Sequence, residues 1–217
     1  MTLSEENYLK TIYHLTTISN TEVSTNSIAE KMETKASSVT DMLKKLAEKD
    51  LINYKKYQGV SLTENGKLVA IMIVRKHRLW EVFLVEKLHF PWDEVHDIAE
   101  QLEHIKSEEL INKLDDFLGN PTKDPHGDPI PDAMGKIISV EKILLSDLQV
   151  NENCICVGVK DTSSEFLKYL DRQKISLGAK MEIIAKETFD MSIKIKLEDK
   201  ELVISNKIAS NIFVKIT

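Results

Sequence analysis

Residues 119–135, "GNPTKDPHGDPIPDAMG", hold four of the chain's five prolines and three of its seven glycines. Proline fixes φ and lacks the amide donor that a helix needs, so no regular helix can run through this segment. The 217-residue chain is thereby divided into two differently built halves. Before the segment, apolar residues recur at helical spacing. After it come short alternating runs, "CICVGVK", "KMEIIAK", "MSIKIKLED", "ELVIS" and "NIFVKI", with one helix over Ser164–Gln173. Several short strands separated by polar turns predict a small β-barrel. The expected fold class is mainly α with this small β part.

The first half divides again. Ser4 reads as the N-cap of a helix to about residue 17, with Tyr8, Leu9, Ile12, Tyr13 and Leu15 as its apolar face. Ile28, Ala29 and Met32 then define a short helix, Thr34 and Lys35 a tight turn, and Val39, Met42, Leu43 and Leu46 a second helix. Two helices joined so closely form a helix-turn-helix. "LINYKKYQGVSLTENG" follows as a strand, a turn at Gln58–Gly59 and a second strand through Leu62, which completes a winged helix. Thr63 can cap the long helix "ENGKLVAIMIVRKHRLWEVFLVEKL", apolar on more than one side and suited to burial or to a dimer interface.

A second helix of this kind presents its first residues to base edges in the major groove. Here those are Ser37, Ser38, Thr40 and Asp41, with Lys44 and Lys45 one turn on. None offers the bidentate arginine contact to guanine, so specificity is expected from DNA shape and half-site spacing. Lys55, Lys56 and Tyr57 at the wing tip suit phosphate contacts. Although the net charge is −6, seven lysines stand against four acids between positions 31 and 56, and local charge governs such binding.

"VHDIAEQLEHIKSEEL", residues 95–110, gathers imidazoles and carboxylates. On a helix Glu100, Glu103 and His104 stand at i, i+3 and i+4 and share one face, with His96 one turn earlier. His77 and Glu81 on the preceding helix are again four apart. Nitrogen and oxygen donors without thiolate suit first-row divalent metals, Mn²⁺, Fe²⁺, Co²⁺ or Zn²⁺. A solvated acidic face is the competing reading of the same spacing. His14, His89 and His126 have no ligand-spaced partner and read as structural or exposed, and Trp80 and Trp92 as core or interface residues. Cys154 and Cys156, one residue apart, read as buried thiols on one face of a strand.

Catalytic signatures are missing. The sequence holds no H-E-x-x-H, no glycine-rich phosphate loop and no nucleophile elbow. A di-iron carboxylate site needs Glu-x-x-His, and the residue three before His104 is Gln101. Metal sensing joined to DNA binding is therefore expected rather than an enzyme. A metalloenzyme using the same cluster, or a metal-independent winged-helix interaction module, are the rivals. With no signal peptide in "MTLSEENYLK" and no apolar run long enough to span a bilayer, the expected location is the cytoplasm, away from membranes.

"ENYLKTIYHL", "SVTDMLKKLAEKDLI", "GVSLTENG", "RKHRLWEVFL", "VHDIAEQLEH" and "PHGDPIP" together resemble the diphtheria-toxin-repressor family of metal-dependent transcriptional regulators, along essentially the whole chain. The resemblance implies a winged-helix DNA-binding domain over 1–71, a helical metal-binding and dimerisation domain over 72–135, and an SH3-like domain over 136–217. It also implies a homodimer on palindromic double-stranded operator DNA. Glu100, Glu103 and His104 match the primary metal site, with Asn7 as a further ligand, and His77, Glu81 and His96 match the ancillary site. Asp161 or Glu165 is the candidate carboxylate from the SH3-like domain. Glu100 stands where the iron-sensing branch has cysteine, which favours Mn²⁺, with Fe²⁺ second. Asn7 replaces the family's usual aspartate or methionine, and Lys10 replaces a glutamate ligand of one manganese-sensing subgroup.

Overall fold

The computed structural model describes residues 1–19, 22–55, 59–138 and 141–217. The chain forms two compact units and passes between them after residues 78, 99, 113, 130 and 137, the first three within helices. One unit comprises residues 1–78, 100–113 and 131–137; the other comprises 79–99, 114–130 and 138–217.

In the first unit, α1 (Leu3–Ser19), α2 (Thr25–Lys31) and α3 (Ala36–Glu48) lead into strands β1 (Ile52–Lys55) and β2 (Gly59–Leu62). The strands pair antiparallel from Ile52↔Leu62 to Lys55↔Gly59. Leu9, Ile12, Ile28, Val39, Leu43, Leu46 and Val60 are fully buried together, which is the periodicity expected of a winged helix. The first cap is Thr2 rather than Ser4: the Glu5 N–H donates to Thr2 Oγ1 (3.3 Å) and the Thr2 N–H to Glu5 Oε2 (3.0 Å). This is a reciprocal capping box, and it starts the helix earlier than the hydrophobic pattern does. Thr63 does cap the next helix, α4 (Glu64–Glu86), accepting from the Gly66 N–H at 3.0 Å.

Two further helices follow α4, α5 (His96–Leu102) and α6 (Glu108–Phe117). Glu103 and His104, expected on the helix that carries Glu100, lie just beyond α5 in its closing turn, where the Ile105 N–H donates to Leu102 O at 3.1 Å. Such i→i+3 tightening is a usual helix ending.

The second unit carries a six-stranded antiparallel sheet of β3 (Ile143–Leu144), β4 (Asn153–Val159), β5 (Lys180–Lys186), β6 (Ile193–Leu197), β7 (Lys200–Ile204) and β8 (Ile212–Ile216), in the order β3-β8-β4-β5-β6-β7. Helix α7 occupies Ser164–Gln173, as the sequence predicts, and a short α8 (Asn206–Ala209) precedes β8. Cys154 and Cys156 are buried on one face of β4, and burial pushes their thiols up to about 12 and about 11.

The sheet domain is fastened to the segment that follows α4. The Trp92 indole N–H donates to Asp171 (3.0 Å), and Asp93 accepts from the Ser164 hydroxyl (2.8 Å) and meets Lys168 Nζ (3.2 Å). Gly127, at φ +87°, lets its loop lie on β4, since a Cβ there would sit 2.2 Å from Val157 O. Burial raises the Asp93 pKa, but Ser164 and Lys168 more than offset it and hold the carboxyl below its ordinary value. A depressed folded-state pKa stabilises above the unfolded value and loses that contribution as pH falls through the folded one. Asp93→Asn is therefore expected to destabilise the protein at pH 7 by about 1–3 kcal/mol, with a smaller difference below about pH 3. Thermal unfolding at the two pH values reads it; an equal difference at both would refute the assignment.

Candidate metal centre and nucleic-acid interface

Glu103 is the centre of the first cluster and is completely buried. Its Oε2 accepts from His77 Nδ1 at 2.6 Å, and its oxygens lie 2.7 and 2.9 Å from Lys10 Nζ. Burial raises its pKa, yet the His77 bond and the Lys10 charge more than offset that and keep it an anion. Glu100, 45% exposed at its side chain, also meets Lys10 Nζ at 3.1 Å. His104 donates from Nδ1 to Glu6 Oε2 at 2.6 Å. In the neutral ring this leaves Nε2 with the lone pair, and that atom lies 3.8 Å from Glu103 Oε1. A carboxylate fixing the tautomer of a histidine in this way is a usual support for a metal ligand.

Asn7 is the test of whether this cluster suits a cation. Its Oδ1 is buried without a hydrogen-bond partner, an arrangement that costs about 1–3 kcal/mol unless something accepts its lone pairs. Amide oxygen, two carboxylates and an imidazole nitrogen form a donor set appropriate to Mn²⁺ or Fe²⁺. The residues fit a divalent ion. They are not gathered around a point, however: Glu100, Glu103 and His104 do not offer three donor atoms within 4.8 Å of one another.

A tighter group lies in the second unit. Buried Glu81 faces His96 Nδ1 at 3.5 Å through one oxygen and His126 Nδ1 at 3.6 Å through the other. Glu81, Asp124 and His126, all buried, bring donor atoms within 4.8 Å of one another. His126 Nε2 donates to the Trp92 carbonyl at 2.9 Å, and its ring stacks on Trp92 at 5.9 Å. Burial lowers the His126 pKa, but Glu81 and Asp124 outweigh it and raise the net value. Asp124 Oδ1 also accepts the N–H groups of His126 and Asp128, so the carboxylate shapes its own loop. Sequence spacing did not reveal Asp124, His126 or Glu6, and His126 in particular is no isolated histidine. Asp161 instead accepts the Ser163 N–H (2.8 Å) at the start of α7, and Glu165 is exposed.

On α3, Ser37, Ser38 and Asp41 are exposed, Lys44 stands 3.5 Å from Asp41, and the Thr40 hydroxyl donates to Ala36 O at 3.0 Å. Lys55, at the end of β1, is exposed; Lys56 and Tyr57 lie outside the described residues.

A winged helix continuous with carboxylate–imidazole clusters defines a metal-responsive DNA-binding regulator as a class. Residues 1–60 match "Iron dependent repressor, N-terminal DNA binding domain", residues 63–132 "Iron dependent repressor, metal binding and dimerisation domain", and residues 143–216 "FeoA domain". The chain belongs to the iron-dependent repressor family, that of the diphtheria toxin repressor. A solved manganese-dependent transcriptional repressor in complex with manganese is 33% identical, with a TM-score of 0.88, over 98% of this chain and 100% of that one. A helix-turn-helix transcriptional regulator of Methanocaldococcus jannaschii is 36% identical over 118 residues, 54% of this chain and 94% of the relative. The iron-dependent repressor IdeR of Mycobacterium bovis is 37% identical over 126 residues, 58% of this chain. That match spans about half the length of the mycobacterial protein, 54%. Among the described residues no helix is long and apolar enough to cross a membrane.

Proposed function

We propose that this protein is a cytoplasmic, non-enzymatic repressor of metal-uptake genes that binds a palindromic operator as a homodimer when a divalent metal is present. The buried, unpartnered Asn7 Oδ1 on α1, the helix whose Glu6 and Lys10 meet His104 and Glu103, is the observation that carries the reading. Asn7, Glu100, Glu103 and His104 form the primary site, with Glu6 orienting His104. His77 and Glu81, one turn apart on α4, and His96 form the ancillary site. Asp161 and Glu165 remain its candidate carboxylates from the SH3-like domain. Residues 1–71, 72–135 and 136–217 divide these duties between DNA, metal with dimerisation, and support. Manganese is preferred over iron because the donors are oxygen and imidazole without thiolate.

A divalent metal held by Asn7, Glu100, Glu103 and His104 would supply the positive charge that these donors lack. The chain's own part is to aim Asn7 from α1 and Glu103 and His104 from the turn, so that ordering the site orders the winged helix. Two recognition helices then meet successive major grooves about 34 Å apart. Gel shift on operator DNA with Mn²⁺, Fe²⁺ or chelator tests this, and equal binding in all three would sink it. Ser37, Ser38, Thr40, Asp41 and Lys44 read the groove, while Lys55, with Lys56 and Tyr57, grips phosphate. Lys55→Ala is expected to weaken all sequences alike and to reduce the slope of log K against log salt by about 1. A change confined to one operator variant would argue for base contact instead.

A further inference from the structure

Two of the residues assigned to the primary site already hold a cation. The Lys10 ammonium touches both Glu103 oxygens, at 2.7 and 2.9 Å, and Glu100 Oε1 at 3.1 Å. Lys10 lies on α1 three residues after Asn7, so both point from the same face of that helix. Its side chain is 11% exposed and that of Glu103 is wholly buried, so solvent screens the pair weakly. Charge strengthens the case: Glu6, Glu100 and Glu103 crowd one corner, and Lys10 is the cation in contact with two of them.

We propose that Lys10 is a tethered competitor at the primary metal site. In the metal-free protein its ammonium draws α1 onto Glu100 and Glu103, and it must leave before those oxygens can serve a divalent ion. The inference rests on the reading of Glu100, Glu103 and His104 as that site. Glu100 gives the exchange its route, since its carboxylate lies at the solvent side while Glu103 lies inside. The ammonium is on a flexible four-carbon stem and can move outward, while Glu103 stays buried. A lysine that occupies the ligands raises the concentration of metal needed to fill the site. It also keeps buried Glu103 compensated while the site waits. Lys10 is thus a residue that sets the metal threshold, without being a ligand itself.

The test uses the full-length protein stripped by chelator, with Mn²⁺ binding followed by the loss of the free-ion electron paramagnetic resonance signal. Lys10→Met keeps the stem and removes the charge; Lys10→Arg keeps the charge. For Lys10→Met we expect Mn²⁺ affinity to tighten about tenfold, equivalent to about 1.4 kcal/mol. Its metal-free unfolding midpoint should fall, and its thermal shift on adding Mn²⁺ should exceed the wild type's. Lys10→Arg should bind as wild type does. Unchanged or weaker binding by Lys10→Met overturns the proposal. Should that variant not fold, the wild type itself decides: the Lys10 ¹³Cε resonance must move on saturation with diamagnetic Zn²⁺, and an unmoved resonance overturns it equally. Glu103→Gln separates the two levels. If it removes no Mn²⁺ from either background, the primary-site reading fails; if it removes one site while Lys10→Met leaves affinity unchanged, only the role of Lys10 fails.

Discussion

Glu103→Ala is expected to lose both metal-dependent operator binding and a large part of the folding stability. The carboxylate is fully buried, and its removal strands the Lys10 ammonium and the His77 ring that it now holds at 2.7 and 2.6 Å. Breaking a buried pair by deleting one partner costs about 3–5 kcal/mol, and the half-exposed Glu100, 3.1 Å from Lys10 Nζ, offsets only part of that loss. For a chain of this size that lowers the thermal midpoint by roughly 6–20 °C. Glu103→Gln keeps the volume and one acceptor oxygen, so it should unfold closer to the wild type, yet it too should fail to respond to Mn²⁺. The comparison separates a structural from a ligating role. A Glu103→Ala protein with wild-type melting and an intact Mn²⁺-dependent gel shift would contradict both parts.

The difference between what the sequence discloses and what it hides follows the range of the interaction. Short-range periodicity is local, so the winged helix and the position of α7 can be read from the chain, whereas the one-helix spacing of Glu100, Glu103 and His104 fails because α5 ends at Leu102. Lys10 meets Glu103 across 93 residues and Glu6 meets His104 across 98, and no periodicity records such a meeting. His126 shows the same limit from the other side. Proline and glycine around it mark an irregular loop correctly, but the turn made by Asp124 and the close approach of Gly127 to β4 are what bring the ring to Glu81. An irregular segment reads as a connection until its tertiary contacts are known. Lys10 stands out in the sequence as a departure from the family pattern, but its contact with Glu100 and Glu103 does not.

Gly66→Ala should destabilise the protein and weaken operator binding. A Cβ at Gly66 would sit 1.8 Å from Leu51 O, 2.7 Å from Leu51 C and 3.2 Å from Leu51 Cα. Those are backbone atoms, so no rotamer change relieves the clash. The first turn of α4 is fixed to the entry of β1 at this point: the Thr63 N–H donates to Leu51 O at 3.1 Å and the Thr63 hydroxyl to Asp50 O at 2.8 Å. Moving α4 away far enough to admit a methyl group breaks the first of these bonds. Alanine gains about 1 kcal/mol of helix propensity over glycine. Overpacking costs about 1–3 kcal/mol and the lost hydrogen bond about 1 more, so destabilisation wins. Because the same turn sets the wing relative to α4, operator binding should fall at every Mn²⁺ concentration rather than shift to a higher one. Gly119→Ala is the control: it meets nothing within 4 Å, its φ of +79° carries only backbone strain, and it leaves the wing untouched. Urea denaturation and gel shift at saturating Mn²⁺ decide the matter. If Gly66→Ala matched Gly119→Ala in both, the close approach of α4 to Leu51 would not be what holds the wing in its binding geometry.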